Sequence, residues 1–236
     1  MLSVLRNAWA LLLGMLLLMI GNGLQGTLLG IRGSLEGFNP AIMSYIMSAY
    51  MFGMLVGSRV SPFLIAIVGH VRVFAALASL ISAAFIGFAI IVDPLAWFIL
   101  RVIVGLCFAG VYVASESWLN EAATNANRGK TMSIYMIIQM IGILIAQFII
   151  NLGDPSSFIL FGVISVLVSV SFAPILLSVS RVPVFNTSKM MSVSQLYKTS
   201  PLCSVTMVLV GGVSSLLFGM SAVYGIERGF SVKEIS

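Results

Sequence analysis

Charged residues are scarce in this sequence of 236 residues. They make up 8 % of the chain, whereas hydrophobic residues make up 60 %. An average soluble domain carries about 25 % charged residues, and a soluble fold has no way to hide so much apolar surface. The composition therefore excludes a soluble enzyme and a disordered chain, and it indicates a polytopic membrane protein.

Cysteine and histidine are almost absent as well. Cys107 and Cys203 lie in apolar stretches and have no C-x-x-C partner, which excludes a disulfide framework and a cysteine metal site. His70 is the single histidine, so a histidine-based zinc cluster is excluded too. A G-x-G-x-x-G pattern at residues 21–26 has no preceding strand and lies in an apolar stretch. We therefore predict no catalytic residue, no cofactor and no metal.

Clustered positive charge is the third missing feature. The formal net charge is +5, but the basic residues are scattered between apolar segments. Such spacing is typical of anchoring to lipid headgroups and not of nucleic-acid binding. The lipid bilayer is therefore the expected partner, and nucleic acid is not.

Long apolar runs dominate what remains. A helix of about 20 apolar residues crosses a bilayer, and uninterrupted runs exclude an alternating β-barrel pattern. Arg59, Arg101 and Glu116 are the charged residues that fall within these runs. The prediction is an all-α integral membrane protein. Its seven spans are expected at residues 8–31, 41–67, 74–92, 95–119, 131–150, 158–179 and 201–225.

The loop charges predict an orientation. Arg6, Arg72, Arg128, Lys130, Arg181, Lys189 and Lys198 fall on one side, against Arg32, Arg228 and Lys233 on the other. By the positive-inside rule the first set faces the cytoplasm, with the amino terminus. We expect a multi-pass protein of the inner membrane.

The connections predict how the chain is divided. Most are short, but residues 180–200 are longer and more polar. We therefore expect a six-helix bundle over residues 1–179, a cytoplasmic linker over residues 180–200, and the first helix of a second bundle over residues 201–236. Because seven helices broken after the sixth do not make a natural closed bundle, the sequence is expected to be the front part of a longer protein.

Small residues recur at i, i+4 in three spans, as Gly26/Gly30, Gly53/Gly57 and Gly105/Ala109. Such pairs let the backbones of membrane helices approach closely. We expect them to mark helix–helix contacts.

A polar stripe follows one face of the fourth span. Arg101, Tyr112 and Glu116 share this face with Gly105 and Phe108. Burying a guanidinium in a span costs at least about 2.5 kcal/mol, which favours a functional role. The alternative is that Arg101 snorkels outward to the headgroups. Glu116 lies near the cytoplasmic end, where pairing with Arg59 or Arg72 would close that side of a bundle.

Amide side chains form two further stripes. Gln139, Gln147 and Asn151 share a face of the fifth span, and Asn22 and Gln25 lie three residues apart in the first. Buried amides either face a cavity or bond between helices, and both alternatives stay open. We take Asn22, Gln25, Arg101, Tyr112, Gln139 and Gln147 as candidates for a substrate cavity. Arg59, Arg72 and Glu116 are candidates for a cytoplasmic gate.

Several short motifs resemble the major facilitator superfamily of transporters, and within it the YcaD-like bacterial branch. They are GHVRVF at residues 69–74, RVIVG at 101–105, ASESWLN at 114–120, NRG at 127–129 and SIY at 133–135. The resemblance covers the chain from about residue 8 onward. It implies twelve spans in two six-helix halves around a central site that is exposed alternately to each side.

The resemblance also assigns roles to individual residues. Arg72 matches the last basic residue of the family's loop motif, and Glu116 matches the acid that pairs with that loop. Arg101 and Gly105 match a span-four motif associated with proton-coupled members, which makes the proton a candidate partner. The sequence departs from the family pattern at Ala66, where an aspartate is usual, and at Val104, where a glutamine is usual.

The resulting expectation is a secondary transporter of a small organic solute that works by alternating access as a monomer. A seven-helix receptor and a non-transporting membrane scaffold are the alternatives. A retinal protein needs a lysine in the seventh span, and residues 201–225 contain none.

Overall fold

The computed structural model of the protein describes residues 2–178 and 192–235, and these ranges are helical without any strand. The helices are α1 (Leu2–Leu35), α2 (Pro40–Val68), α3 (His70–Ile90), α4 (Pro94–Ala122), α5 (Arg128–Ile150), α6 (Ile159–Ser171), α7 (Ala173–Leu177), α8 (Val193–Thr199), α9 (Pro201–Glu227) and α10 (Val232–Ile235). The all-helical prediction is confirmed.

Six helices in the described ranges are long and apolar enough to cross a membrane. They correspond to the first six predicted spans, and the sixth consists of α6 and α7 in succession. The seventh predicted span falls within α9, which follows α8 at a bend of 119°. Of the predicted linker, residues 180–191 lie outside the described residues, and Val193–Thr199 forms the short helix α8.

Side-chain caps explain where α2 and α4 begin. The Asn39 side chain accepts from the backbone N–H of Ala41, and the Asp93 side chain accepts from that of Ala96. Each cap is followed by a proline at the first helical position, where the missing N–H costs nothing.

The turn between α2 and α3 is shorter than predicted. Gly69 alone separates the two helices, with a φ of 84°, a conformation that favours glycine. The third span was expected from residue 74, but α3 begins at His70. Arg72, expected in the connection, therefore lies in the first turn of α3.

Packing places α1 at the centre of the described bundle. It contacts α5, α6 and α9, while α4 packs against α2 and α3. Aromatic side chains fill the core beneath the α3–α4 turn: Trp97 lies 5.1 Å from Phe38 and 5.9 Å from Phe88 between ring centroids. The Trp97 indole N–H donates to the Ile91 carbonyl at 2.8 Å, so this buried polar atom is satisfied.

Glycines set the distance between α2 and α4. A Cβ atom on Gly53 would meet the Val102 carbonyl, and one on Gly57 would meet the Leu106 carbonyl. From the other side, a Cβ atom on Gly105 would meet the carbonyl of Tyr50. The two backbones thus touch where the small residues predicted a close contact. This contact fixes α4, and with it Arg101, against α2.

We expect Gly105→Ala to destabilise the protein by about 1–3 kcal/mol, because the new methyl group meets backbone atoms that have no room to move. Gly162→Ala in α6 is the matched control. Its Cβ atom would find only the Phe158 ring at 3.5 Å, an ordinary contact. Thermal unfolding of the purified protein in detergent measures both variants. Equal stability of the two variants would contradict the close α2–α4 contact.

Candidate functional site

A cavity of about 230 Å³ opens between α1, α2, α4, α5 and α9. Its lining combines polar side chains with glycine and apolar surface. The polar members are Asn22, Gln25, Thr27, Tyr50, Arg101, Gln147 and Ser221, and the others are Gly23, Gly26, Met47, Met51 and Ile143. Four of the surrounding helices, α1, α2, α4 and α5, are long and apolar enough to cross a membrane, so most of this polar lining lies on membrane-spanning helices.

Arg101 is the charged side chain of this lining. It is only 4 % exposed, so the guanidinium does not snorkel out of the bundle. One terminal nitrogen donates to Gln25 Oε1 at 3.1 Å, and the other donates to Met47 Sδ at 2.9 Å. Its guanidinium carbon lies 5.0 Å from the centroid of the Tyr50 ring, a cation–π distance. All these partners are neutral.

Asn22 joins the first and fourth spans through a chain of hydrogen bonds. Gln25 Nε2 donates to Asn22 Oδ1 at 2.6 Å, and the Tyr50 hydroxyl donates to the same oxygen at 3.4 Å. Asn22 Nδ2 in turn donates to the Tyr112 hydroxyl at 3.1 Å. The chain runs Arg101–Gln25–Asn22–Tyr112 and orients the side chains that it joins.

Gln147 ties α5 to α1 on the other side of the cavity. Its Nε2 donates to the Gly23 carbonyl at 3.3 Å, and its Oε1 accepts from the Thr27 hydroxyl at 3.4 Å. Both alternatives foreseen for the amides therefore occur together, because Asn22, Gln25 and Gln147 line the cavity and also bond between side chains or helices.

Sequence comparison identifies the family of this fold. The model of the Major Facilitator Superfamily matches residues 11–236. The chain belongs to the major facilitator superfamily.

Relatives and solved structures agree with this assignment. The "Uncharacterized MFS-type transporter YcaD" of Escherichia fergusonii is 22 % identical over 98 % of this chain and 61 % of its own length. The Escherichia coli protein of that name is 25 % identical over 62 % of this chain and 38 % of its own. The chain thus spans less than two thirds of the length of these relatives.

Two solved transporters share the fold. The crystal structure of the nucleoside transporter NupG (D323A mutant) superposes with a TM-score of 0.72 at 15 % identity, over 92 % of this chain and 56 % of that one. An auto inhibited POT family peptide transporter gives a TM-score of 0.61 at 14 % identity, over 93 % and 52 %. The described helices are therefore the amino-terminal portion of a major facilitator fold, as the resemblance implied.

Within this major facilitator half, the predicted cavity residues separate into three groups. Asn22, Gln25, Arg101 and Gln147 line the cavity, and Tyr112 contacts its edge by bonding to Asn22. Gln139 is half-buried and does not line the cavity. Eight residues separate Gln139 from Gln147, which amounts to about 12 Å along a helix. The stripe on α5 therefore runs on beyond the cavity.

The three predicted gate residues of this major facilitator chain are exposed and apart. Arg59, Arg72 and Glu116 all lie on the surface, and among the described residues Glu116 pairs with neither arginine. Its carboxylate lies instead beside the phenol of Tyr135 on α5. The ion pair that the sequence suggested for Glu116 is not formed in the described part of the chain.

Some cavity residues escaped the sequence analysis. Met47, Tyr50 and Ser221 are neither charged nor amides, so a search for costly polar groups in spans passes over them. A usable signal existed on α2, where Met47 and Tyr50 lie three residues apart, one turn before Gly53. Met47 and Tyr50 touch Arg101 directly.

We expect Asn22→Leu to destabilise this major facilitator fold by about 1–3 kcal/mol, because it removes the shared partner of Gln25, Tyr50 and Tyr112. The matched amide change is Gln139→Leu, which lies outside the network and should cost about 0.5 kcal/mol or less. Thermal unfolding in detergent again provides the comparison. A Gln139→Leu variant that loses more stability than Asn22→Leu would show that the network does not hold α1 to α4.

Proposed function

We propose that the chain carries the amino-terminal half of a secondary transporter that moves a small organic solute by alternating access. The observation that carries this proposal is the buried polar cavity between α1, α2, α4, α5 and α9. In transporters built from repeated halves, the substrate site lies near the bilayer midplane between the halves. A cavity lined by amides, a phenol and one guanidinium has the polar groups such a site needs.

Membership of the family supports transport in general. The similarity to solved transporters does not indicate which substrate is transported. One structural neighbour is titled a nucleoside transporter and the other a peptide transporter, so different solutes occur on this fold. The described residues offer no observation that favours a receptor or a scaffold over a transporter.

The remaining assignments belong to the same proposal. Residues 1–179 form the first bundle, residues 180–200 link it to the next, and residues 201–236 begin that second bundle. The protein acts as a monomer in the inner membrane with its amino terminus in the cytoplasm. Arg101 with Gly105 supports protons as the coupling ion, and Arg59, Arg72 and Glu116 belong to the cytoplasmic gate.

The orientation is tested by cysteine labelling. In a Cys203→Ser background, Arg128→Cys should react with a membrane-impermeant maleimide only after the cells are permeabilised, so that the reagent reaches the cytoplasmic side. Glu36→Cys should react in intact cells. The reason is the excess of basic residues on the side of residue 128. Both positions are exposed, and Cys107 is buried, so the labels report sidedness. The reverse pattern would overturn the orientation and the gate assignment together.

Transport tests the cavity itself. The product of the complete reading frame is reconstituted into proteoliposomes and assayed for uptake of radiolabelled small organic solutes, one at a time. We expect Arg101→Ala to reduce uptake at least about ten-fold, because one charge-assisted hydrogen bond contributes about 1.5–3 kcal/mol. Arg101→Lys should restore uptake only in part, since lysine keeps the charge but lacks the planar fork.

Lys130→Ala is the control, because Lys130 is an exposed cation at the start of α5. It should leave uptake unchanged. Normal uptake by Arg101→Ala would place the substrate elsewhere, and the absence of uptake for every solute would count against a transporter.

A further inference from the structure

Arg101 has no counter-charge within the described part of the chain. All seven acidic residues of the sequence lie in the described ranges, and none lines the cavity. Apart from Asp93, the acidic residue of α4 nearest to Arg101 is Glu116. It lies fifteen residues from Arg101, or about 22 Å along a helix. Asp93 caps the start of α4 through the Ala96 N–H. A buried cation is therefore left with neutral partners.

The guanidinium also keeps hydrogen-bonding capacity in reserve. Its Nε is buried and has no partner among the described atoms. One of its terminal nitrogens is satisfied only by the sulfur of Met47, which is a weak acceptor. A buried guanidinium normally takes a carboxylate or a phosphate as its acceptor, often through two parallel bonds. None of the described residues supplies such an anion to Arg101.

The rest of the lining limits the kind of anion. Met47, Met51 and Ile143 supply apolar surface, and the Tyr50 ring stacks beside the guanidinium. A volume of about 230 Å³ exceeds the roughly 150 Å³ of an apolar cavity that takes up benzene. This space suits an organic group of modest size that carries one anionic end.

We propose that the cavity binds a small organic anion whose carboxylate pairs with Arg101 and whose apolar part contacts Met47, Met51 and Ile143. This inference rests on the proposed transport function and names the substrate class of the same site. The neighbouring amides hold the guanidinium in place: Gln25 bonds to Arg101 directly, and Asn22 bonds to Gln25. The site is thus ordered before the anion arrives.

The test measures binding, so it does not depend on transport. Benzoate, benzamide and benzylamine share one ring and differ in charge, and each is titrated by calorimetry into the purified product of the complete reading frame. We expect benzoate to bind at least about ten-fold more tightly than benzamide, as one charge-assisted hydrogen bond predicts, and benzylamine to bind weakest. Inorganic phosphate, titrated in parallel, should bind more weakly than benzoate because it gains nothing from the apolar lining.

Variants locate the charge that makes the preference. Arg101→Gln should remove the preference for benzoate over benzamide, and Arg101→Lys should keep part of it. Arg128→Gln, which removes an exposed arginine at the start of α5, should leave the preference intact. The wild-type ranking tests the proposal even if Arg101→Gln fails to fold.

Each contrary result has its own meaning. Equal binding of benzoate and benzamide, binding of none of the three, or a preference that survives in Arg101→Gln overturns the anion site. Tighter binding of phosphate than of benzoate overturns the organic part of the proposal. Benzoate binding without uptake in proteoliposomes would refute transport of this solute class and leave the anion site standing.

Discussion

A guanidinium buried among membrane-spanning helices is the constraint on which the rest of this major facilitator fold depends. Arg101 is 4 % exposed, and a charge at such depth costs free energy unless other groups solvate it. The fold meets this demand with Gln25, Met47 and Tyr50, contributed by α1 and α2. The three helices must therefore hold one relative position, or the cation loses its partners.

Close packing and the polar network support each other. The contact between α2 and α4 is close because Gly53, Gly57 and Gly105 carry no side chains, and this brings Tyr50 and Met47 to Arg101. On the other side, Asn22 joins Gln25 to Tyr112 and so connects α1 to α4. A membrane interior offers no hydrophobic force between helices, so such packing and hydrogen bonds supply the specificity. The same interactions leave a cavity at the point where the helices meet.

The cavity and the proposed gate differ in how firmly they are built. The cavity residues bond to one another, whereas Arg59, Arg72 and Glu116 are exposed and make no ion pair with each other in the described part of the chain. A gate has to break and reform as a transporter changes conformation, so weak and separate contacts suit it. A binding site has to keep its geometry, and a closed hydrogen-bond network suits that role.

The sequence by itself determined the class of fold, the six membrane-capable helices, the small-residue contacts and four of the residues that line the cavity. Hydropathy and helical spacing are local properties, and a bilayer forces every backbone group of a span to bond within its own helix. What only the tertiary structure decided is which faces meet. Periodicity placed Gln139 on the same face as Gln147, but it did not show that the cavity includes Ile143 and Gln147 and not Gln139. Nor did it show that Met47 and Tyr50 contact Arg101, because these contacts depend on the relative position of separate helices.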